Sequence, residues 1–418
     1  MYSLKDKKIL LISIIVVFSV FGAYLVKDSH GTDSISWMTI YGVNDFNSFS
    51  KIIHYVKNLM VPIPILLSLT EIVTFNIFGS TSFITTICYR IALVLCYILA
   101  IYLSSSSRSK MLLSAAIGFV FLWGTVIIHP GNPQTYDIFF PFFVLLYISS
   151  QKYAVSQLDS LNFSKKVALI CFASGFFLSM AELMRPFVFF SLPLLLFCSY
   201  QALRKFPKKY FFYFLIPIAL FSGTWHFYIA FQHGQITWTN HSGYNLARAW
   251  EMVDLPMLIP ETHNQPLGPD RWVNLNTTEH YQNSQIIQKA IFEYILTHPI
   301  QSIRNFAYRV YQMAHVKTSI YTYEPNHWIL YVYRPLVGMG CFWLFINFLL
   351  LSIGFAKYRR LQIFGVPENI LIIITTLYLC ILTVGEAGEE ARFLISLLPL
   401  IATLPIYSKP EREYGQCH

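Results

Sequence analysis

The chain has 418 residues, 55% of them hydrophobic and only 12% charged, against about 25% charged in an ordinary soluble domain. A mean hydropathy of +0.50 with 17% aromatic residues excludes a water-soluble globule, a disordered chain, a collagen, a coiled coil and a disulfide scaffold. The formal charge of +9 is not a nucleic-acid signal, because the lysines and arginines fall in short clusters between long apolar runs. What remains is an all-α polytopic membrane protein with about ten transmembrane helices; the runs are too long and continuous for an outer-membrane barrel.

In chain order, residues 9–25 form the first run, preceded by Lys5, Lys7 and Lys8. The run is long for a signal peptide and no small-residue cleavage pattern follows, so it reads as a signal anchor. Residues 26–80 make a first outer segment. Within it, 61–78 is apolar and opens with Pro62 and Pro64. Counting it as a span would throw Arg108 and Lys110 outside, so it reads as a helix at the outer interface. Runs at 82–103, 111–128, 138–149, 167–184, 187–203 and 210–229 complete an N-terminal module, residues 1–229. Residues 230–327 form an external region too long for a simple connection. They end in an amphipathic helix over 290–316, broken at His298-Pro299. Runs at 328–356, 370–384 and 393–407 and a short polar tail make a C-terminal module, residues 328–418.

The basic clusters fix the orientation. Lys5–Lys8, Arg108 with Lys110, Lys152 with Lys165 and Lys166, Arg204 to Lys209, Lys357 to Arg360, and Lys409 all share one side if both termini are cytoplasmic. Six cysteines lie in apolar runs, Cys417 lies in the tail, and no CxxC pair occurs, so neither zinc nor redox chemistry is indicated. The seven histidines of 230–327 have no metal-ligand spacing, and no cofactor is expected.

Charge at membrane depth is costly and points to function. Arg90 lies within the second span. Glu182 and Arg185 lie at the outer end of the fifth, beside Pro186. Asp33 follows the first span, and His129 and Asp137 flank the turn after the third. Glu386, Glu389, Glu390 and Arg392 crowd the turn before the last. All lie toward one outer face, where arginines can hold a phosphate and a carboxylate can deprotonate an acceptor. Each has a plainer reading: a solvated loop carboxylate for Asp33, snorkelling or interfacial anchoring for Arg90 and Arg185, an interfacial His129, and local pairing in 386–392. A transporter would show matching broken helices with polar groups at mid-membrane, and a channel would show a filter sequence; neither is present.

Four segments, taken in order, resemble the GT-C superfamily of polytopic glycosyltransferases, such as the protein mannosyltransferases and the lipid A aminoarabinose transferases. They are Asp33 after the first span; Val61-Pro-Ile-Pro-Ile with Phe75-Asn-Ile-Phe-Gly-Ser before the span holding Arg90; Leu183-Met-Arg185-Pro186; and Glu389-Glu390-Ala-Arg392-Phe-Leu-Ile-Ser-Leu-Leu-Pro399. The stretch 294–309 is similar to the juxtamembrane helix of that superfamily. Many members carry two adjacent acidic residues in the first outer loop, where this chain has Asp33 followed by Ser34.

The resemblance implies a multi-pass enzyme of the cell membrane, of the bacterial inner-membrane kind, with its site on the outer face. It would move a sugar from a polyprenyl-phosphate donor to a glycan, lipid or protein acceptor. Asp33 would be the base, and Arg90, Arg185 and Arg392 would hold the donor phosphate. Glu182, His129, Asp137, Glu386, Glu389 and Glu390 would give support. Two other readings fit the same composition. A polysaccharide polymerase or ligase would depend on Arg248, Arg271 or His241 of the external region. A non-catalytic lipid-glycan transport partner would depend on none of these.

Overall fold

The computed structural model describes residue 50, residues 135–157, 164–204, 206–234, 243, 246, 278–315, 328–358, 361–385, 397, 400 and 401. Its helices in chain order are α1 (Thr135–Ser156), α2 (Lys165–Met184), α3 (Pro186–Leu203), α4 (Lys209–Ile218), α5 (Thr224–His233), α6 (Thr278–Thr297), α7 (Pro299–His315), α8 (Trp328–Tyr358) and α9 (Pro367–Gly385). A π-helical turn, Ala219–Gly223, joins α4 to α5, and a 3-10 turn, Leu361–Gly365, precedes α9. Among the described residues, Lys165–Met184, Lys209–Gln232 and Gly338–Lys357 are long and apolar enough to cross a membrane. Phe187–Leu203 and Pro367–Ile381 are shorter apolar helices.

The expected runs at 138–149, 167–184, 187–203, 328–356 and 370–384 each coincide with a helix, and the run at 210–229 covers α4, the π turn and most of α5. The shortest of them, 138–149, is the core of the 22-residue α1. The runs at 9–25, 82–103 and 111–128, the interfacial segment 61–78, and all of 393–407 but three residues lie outside the described residues.

Proline places the breaks. Pro186 disfavours helical backbone at the residue before it, so Arg185 is extended (φ −147°, ψ 126°), α2 stops, and Pro186 opens α3. Pro217 lacks an N–H, and its carbonyl accepts a hydrogen bond from Ser179 Oγ of α2 at 3.2 Å. The wide π turn begins two residues later, where the regular ladder has already been interrupted. Gly234, at φ 72°, closes α5 with its N–H on the Ala230 carbonyl at 2.7 Å.

Helices α1, α2, α3, α4 and α9 share one core. Helix α2 lies close on α4. A methyl group added at Gly175 would lie 2.0 Å from the Phe214 carbonyl oxygen, so only glycine fits there.

The bundle has two chemically different ends. At one, Lys152 Nζ meets Glu368 Oε1 at 2.6 Å, the Ser164 N–H donates to Tyr210 Oη at 2.7 Å, and Gly365 lies against the backbone of Gln201 and Ala202. These contacts gather the C-terminal ends of α1 and α3 with the N-terminal ends of α2, α4 and α9. Lys165, Lys166, Arg204, Lys208 and Lys209 stand exposed around them. At the other end Phe140 of α1, Phe187 of α3 and Tyr378 of α9 pack together, with ring centroids 5.2, 5.1 and 4.6 Å apart.

The amphipathic stretch expected over 290–316 is two helices that meet at His298, and α6 begins earlier, at Thr278. Helix α7 is inside-out by the standards of a water-facing helix. Ser302, Asn305 and Arg309 are buried, while Ile300 and Ile303 are 75% and 68% exposed.

Candidate active site

The site forms where α2 breaks. Glu182 stands in the last turn of α2 and is 0% exposed; Arg185, in the break itself, is 6% exposed. The break is held by backbone bonds on both sides: Arg185 N–H to the Glu182 carbonyl, and Val188 N–H to the Arg185 carbonyl, each 3.2 Å. From α5 comes His226, 7% exposed, whose Nε2 lies 2.8 Å from Glu182 Oε1. The imidazole also packs on Phe189 of α3, ring centroids 4.4 Å apart. The Arg185 guanidinium lies over the Tyr378 ring, 5.9 Å from its centroid, on the aromatic floor shared by α1, α3 and α9.

Physical chemistry makes this arrangement costly without compensation. A carboxylate or guanidinium taken out of water needs partners that replace its hydration. His226 supplies one to Glu182, and the π face of Tyr378 attracts the guanidinium. The π turn helps to bring the imidazole there. An extra residue in a helical turn rotates everything beyond it by about 100° around the axis. That rotation sets which face of α5 meets α2.

Of the residues singled out from sequence, Glu182 and Arg185 therefore share one buried polar site. Asp137 lies in the first turn of α1, one turn before Phe140, so its backbone enters from the same end. Helix α9 also runs toward this end and finishes at Gly385, immediately before Glu386. Asp33, Arg90, His129, Glu386, Glu389, Glu390 and Arg392 lie outside the described residues, as do His241, Arg248 and Arg271. His226 was missed in the sequence reading. Its signal was present: an ionisable side chain inside the apolar run 210–229, as unusual as Arg90 in its own run. Among the described residues, no three His, Cys, Asp or Glu side chains converge as a metal-ligand set.

No family model matches the sequence, and no curated protein matches it. Among solved structures, the chain is similar to the archaeal oligosaccharyltransferase AglB from Archaeoglobus fulgidus in complex with an inhibitory peptide and a dolichol-phosphate, with a TM-score of 0.46 and 13% identity. The apo form of the Archaeoglobus fulgidus oligosaccharyltransferase matches with the same TM-score and identity. Each match covers 94% of this chain and 50% of the other, so the chain spans half the length of the structures it matches.

Proposed function

We propose that the chain is a GT-C-type glycosyltransferase that moves a sugar from a polyprenyl-phosphate donor to a glycan, lipid or protein acceptor at the outer face of a cell membrane. The observation that carries the reading is the buried arginine at the end of the bundle opposite the exposed lysines. Lysine-rich ends face the cytoplasm, which turns Arg185 and Glu182 outward. An arginine held at that depth offers a fixed fork of N–H donors to a phosphate arriving along the membrane.

In this reading the lipid tail of the donor runs between helices and its phosphate meets Arg185, with Arg90 and Arg392 adding charge. Asp33 takes the proton from the acceptor hydroxyl as that oxygen attacks the anomeric carbon. The sugar–phosphate bond breaks, and the electron pair leaves with the lipid phosphate, whose charge the arginines stabilise. A phosphate leaves without a general acid. Helix α7 suits the same setting: its exposed isoleucines meet the membrane interface and its buried polar stripe turns toward the protein.

The deciding experiment is turnover of lipid-phosphate monosaccharides by purified, detergent-solubilised protein. Asp33→Asn keeps the shape of the side chain and removes its basicity, so it lowers the rate at least about a hundredfold with donor binding retained. Near-normal turnover would move the base to Glu389 or Glu390, or favour the polymerase reading.

A further inference from the structure

We infer that His226 is a positioning residue for Arg185, clamping the break from which that arginine projects. The inference rests on the proposed role of Arg185 at a lipid phosphate. Four observations carry it. His226 bonds Glu182, three residues before the arginine, and packs on Phe189, four residues after it. It thus touches both helices that meet at Arg185, and it does so from a third. Arg185 is the single extended residue joining α2 to α3, so His226 adds a side-chain brace beside the backbone bonds that hold the break. The brace is directional. The imidazole donates to one carboxylate oxygen while its ring face lies on Phe189, so turning the ring loses one contact or the other. Finally, α5 presents His226 to α2 only after the π turn at Ala219–Gly223, a local irregularity of the kind that recurs at functional sites.

A brace of this kind acts on binding through the arginine, and the prediction follows from that route. The glutamine amide reaches about as far as imidazole Nε2 and donates the same hydrogen bond; asparagine is one methylene shorter and falls short of Glu182. In the full-length protein in detergent, with undecaprenyl phosphate as the probe and native mass spectrometry as the readout, His226→Ala weakens binding about tenfold or more, the usual weight of a hydrogen bond to a buried charge. His226→Gln recovers most of the affinity. In an Arg185→Lys background, which has already lost the guanidinium fork, His226→Ala has little further effect, because the two residues act as one unit.

The outcomes separate cleanly. No saturable binding by the wild type overturns the glycosyltransferase reading, and this inference with it. Binding that depends on Arg185 but is equal in wild type and His226→Ala overturns the inference alone. So does a His226→Ala loss that persists in full in the Arg185→Lys background, which marks general destabilisation. If His226→Ala does not fold, the comparison of His226→Gln with His226→Asn carries the test: the glutamine variant binds and the asparagine variant does not, and equal binding by the two overturns the inference.

Discussion

Each end of the bundle carries a carboxylate paired to a basic nitrogen at hydrogen-bond distance, yet the two pairs are different objects. Lys152 and Glu368 are 2.6 Å apart, with side chains 33% and 20% exposed. His226 and Glu182 are 2.8 Å apart, and the carboxylate is fully buried. Water shares the first pair and screens it, so its worth is about 0–1 kcal/mol. The second pair sits where water is excluded, and breaking it leaves a buried charge short of a partner at a cost of about 3–5 kcal/mol. The lesson is that distance alone does not rank ion pairs; the surrounding dielectric does. It also explains the distribution of charge. The lysine-rich end is populated freely because exposure makes charge cheap. At the other end each buried charge needs a built environment, which His226 gives to Glu182 and the Tyr378 ring gives to Arg185.

The largest expected effect tests the dry end. His226→Leu keeps the bulk of the side chain but removes the donor from Glu182. We expect a loss of about 3 kcal/mol or more in unfolding free energy, read from a denaturant titration in detergent. A loss below about 1 kcal/mol would mean that water reaches Glu182 as it reaches Glu368, and the contrast between the ends would collapse.

A somewhat smaller effect is expected between the ends. Gly175→Ala drives a methyl group against the Phe214 backbone, which cannot rotate away as a side chain would. Separating α2 from α4 costs about 1–3 kcal/mol, visible as a lowered thermal midpoint. It also moves α5 relative to α2, so the Glu182–His226 contact should suffer while Lys152–Glu368, which joins α1 to α9, is spared. A midpoint equal to wild type would show that α2 and α4 do not pack this closely.

Much of this was legible in the sequence, for reasons that separate the parts. The helices announced themselves as apolar runs, and even 138–149, short by length, grew into α1 because helix starts at Thr135 and continues into polar Gln151 and Lys152. The break at Arg185 followed from Pro186, and the break at His298 from Pro299, since proline acts on its immediate neighbour. Glu182 and Arg185 stood out as charges in an apolar setting. His226 did not, and neither did the π turn that orients it. Which face of a long apolar helix turns inward depends on tertiary packing, here Ser179 on the Pro217 carbonyl and Gly175 under α4, which local sequence does not encode. The extent of α6 was missed for a related reason. Residues 278–289 are rich in polar side chains, and their helix is held by the burial of Tyr281, Ser284 and Ile287 against its neighbours, not by an apolar run.

The smallest expected effect decides whether the comparison is between environments or merely between residue types. A double-mutant cycle on Lys152→Met and Glu368→Gln isolates the pair from the separate contributions of its members. We expect a coupling of about 0.5 kcal/mol, within the range for partly exposed pairs, and we expect it to shrink as ionic strength rises from about 0.01 to 1 M, where the screening length falls from about 30 to 3 Å. The same cycle on Glu182→Gln and His226→Gln should give a larger coupling with little response to salt, because Glu182 is 0% and His226 7% exposed, with Phe189 packed on the imidazole. The presence or absence of salt dependence is the sharper criterion. Coupling energies vary by factors of two or three with context, whereas a pair that responds to salt is in contact with solvent. If both pairs respond alike, water reaches the buried end as it reaches the lysine-rich one, and the contrast between the two environments collapses.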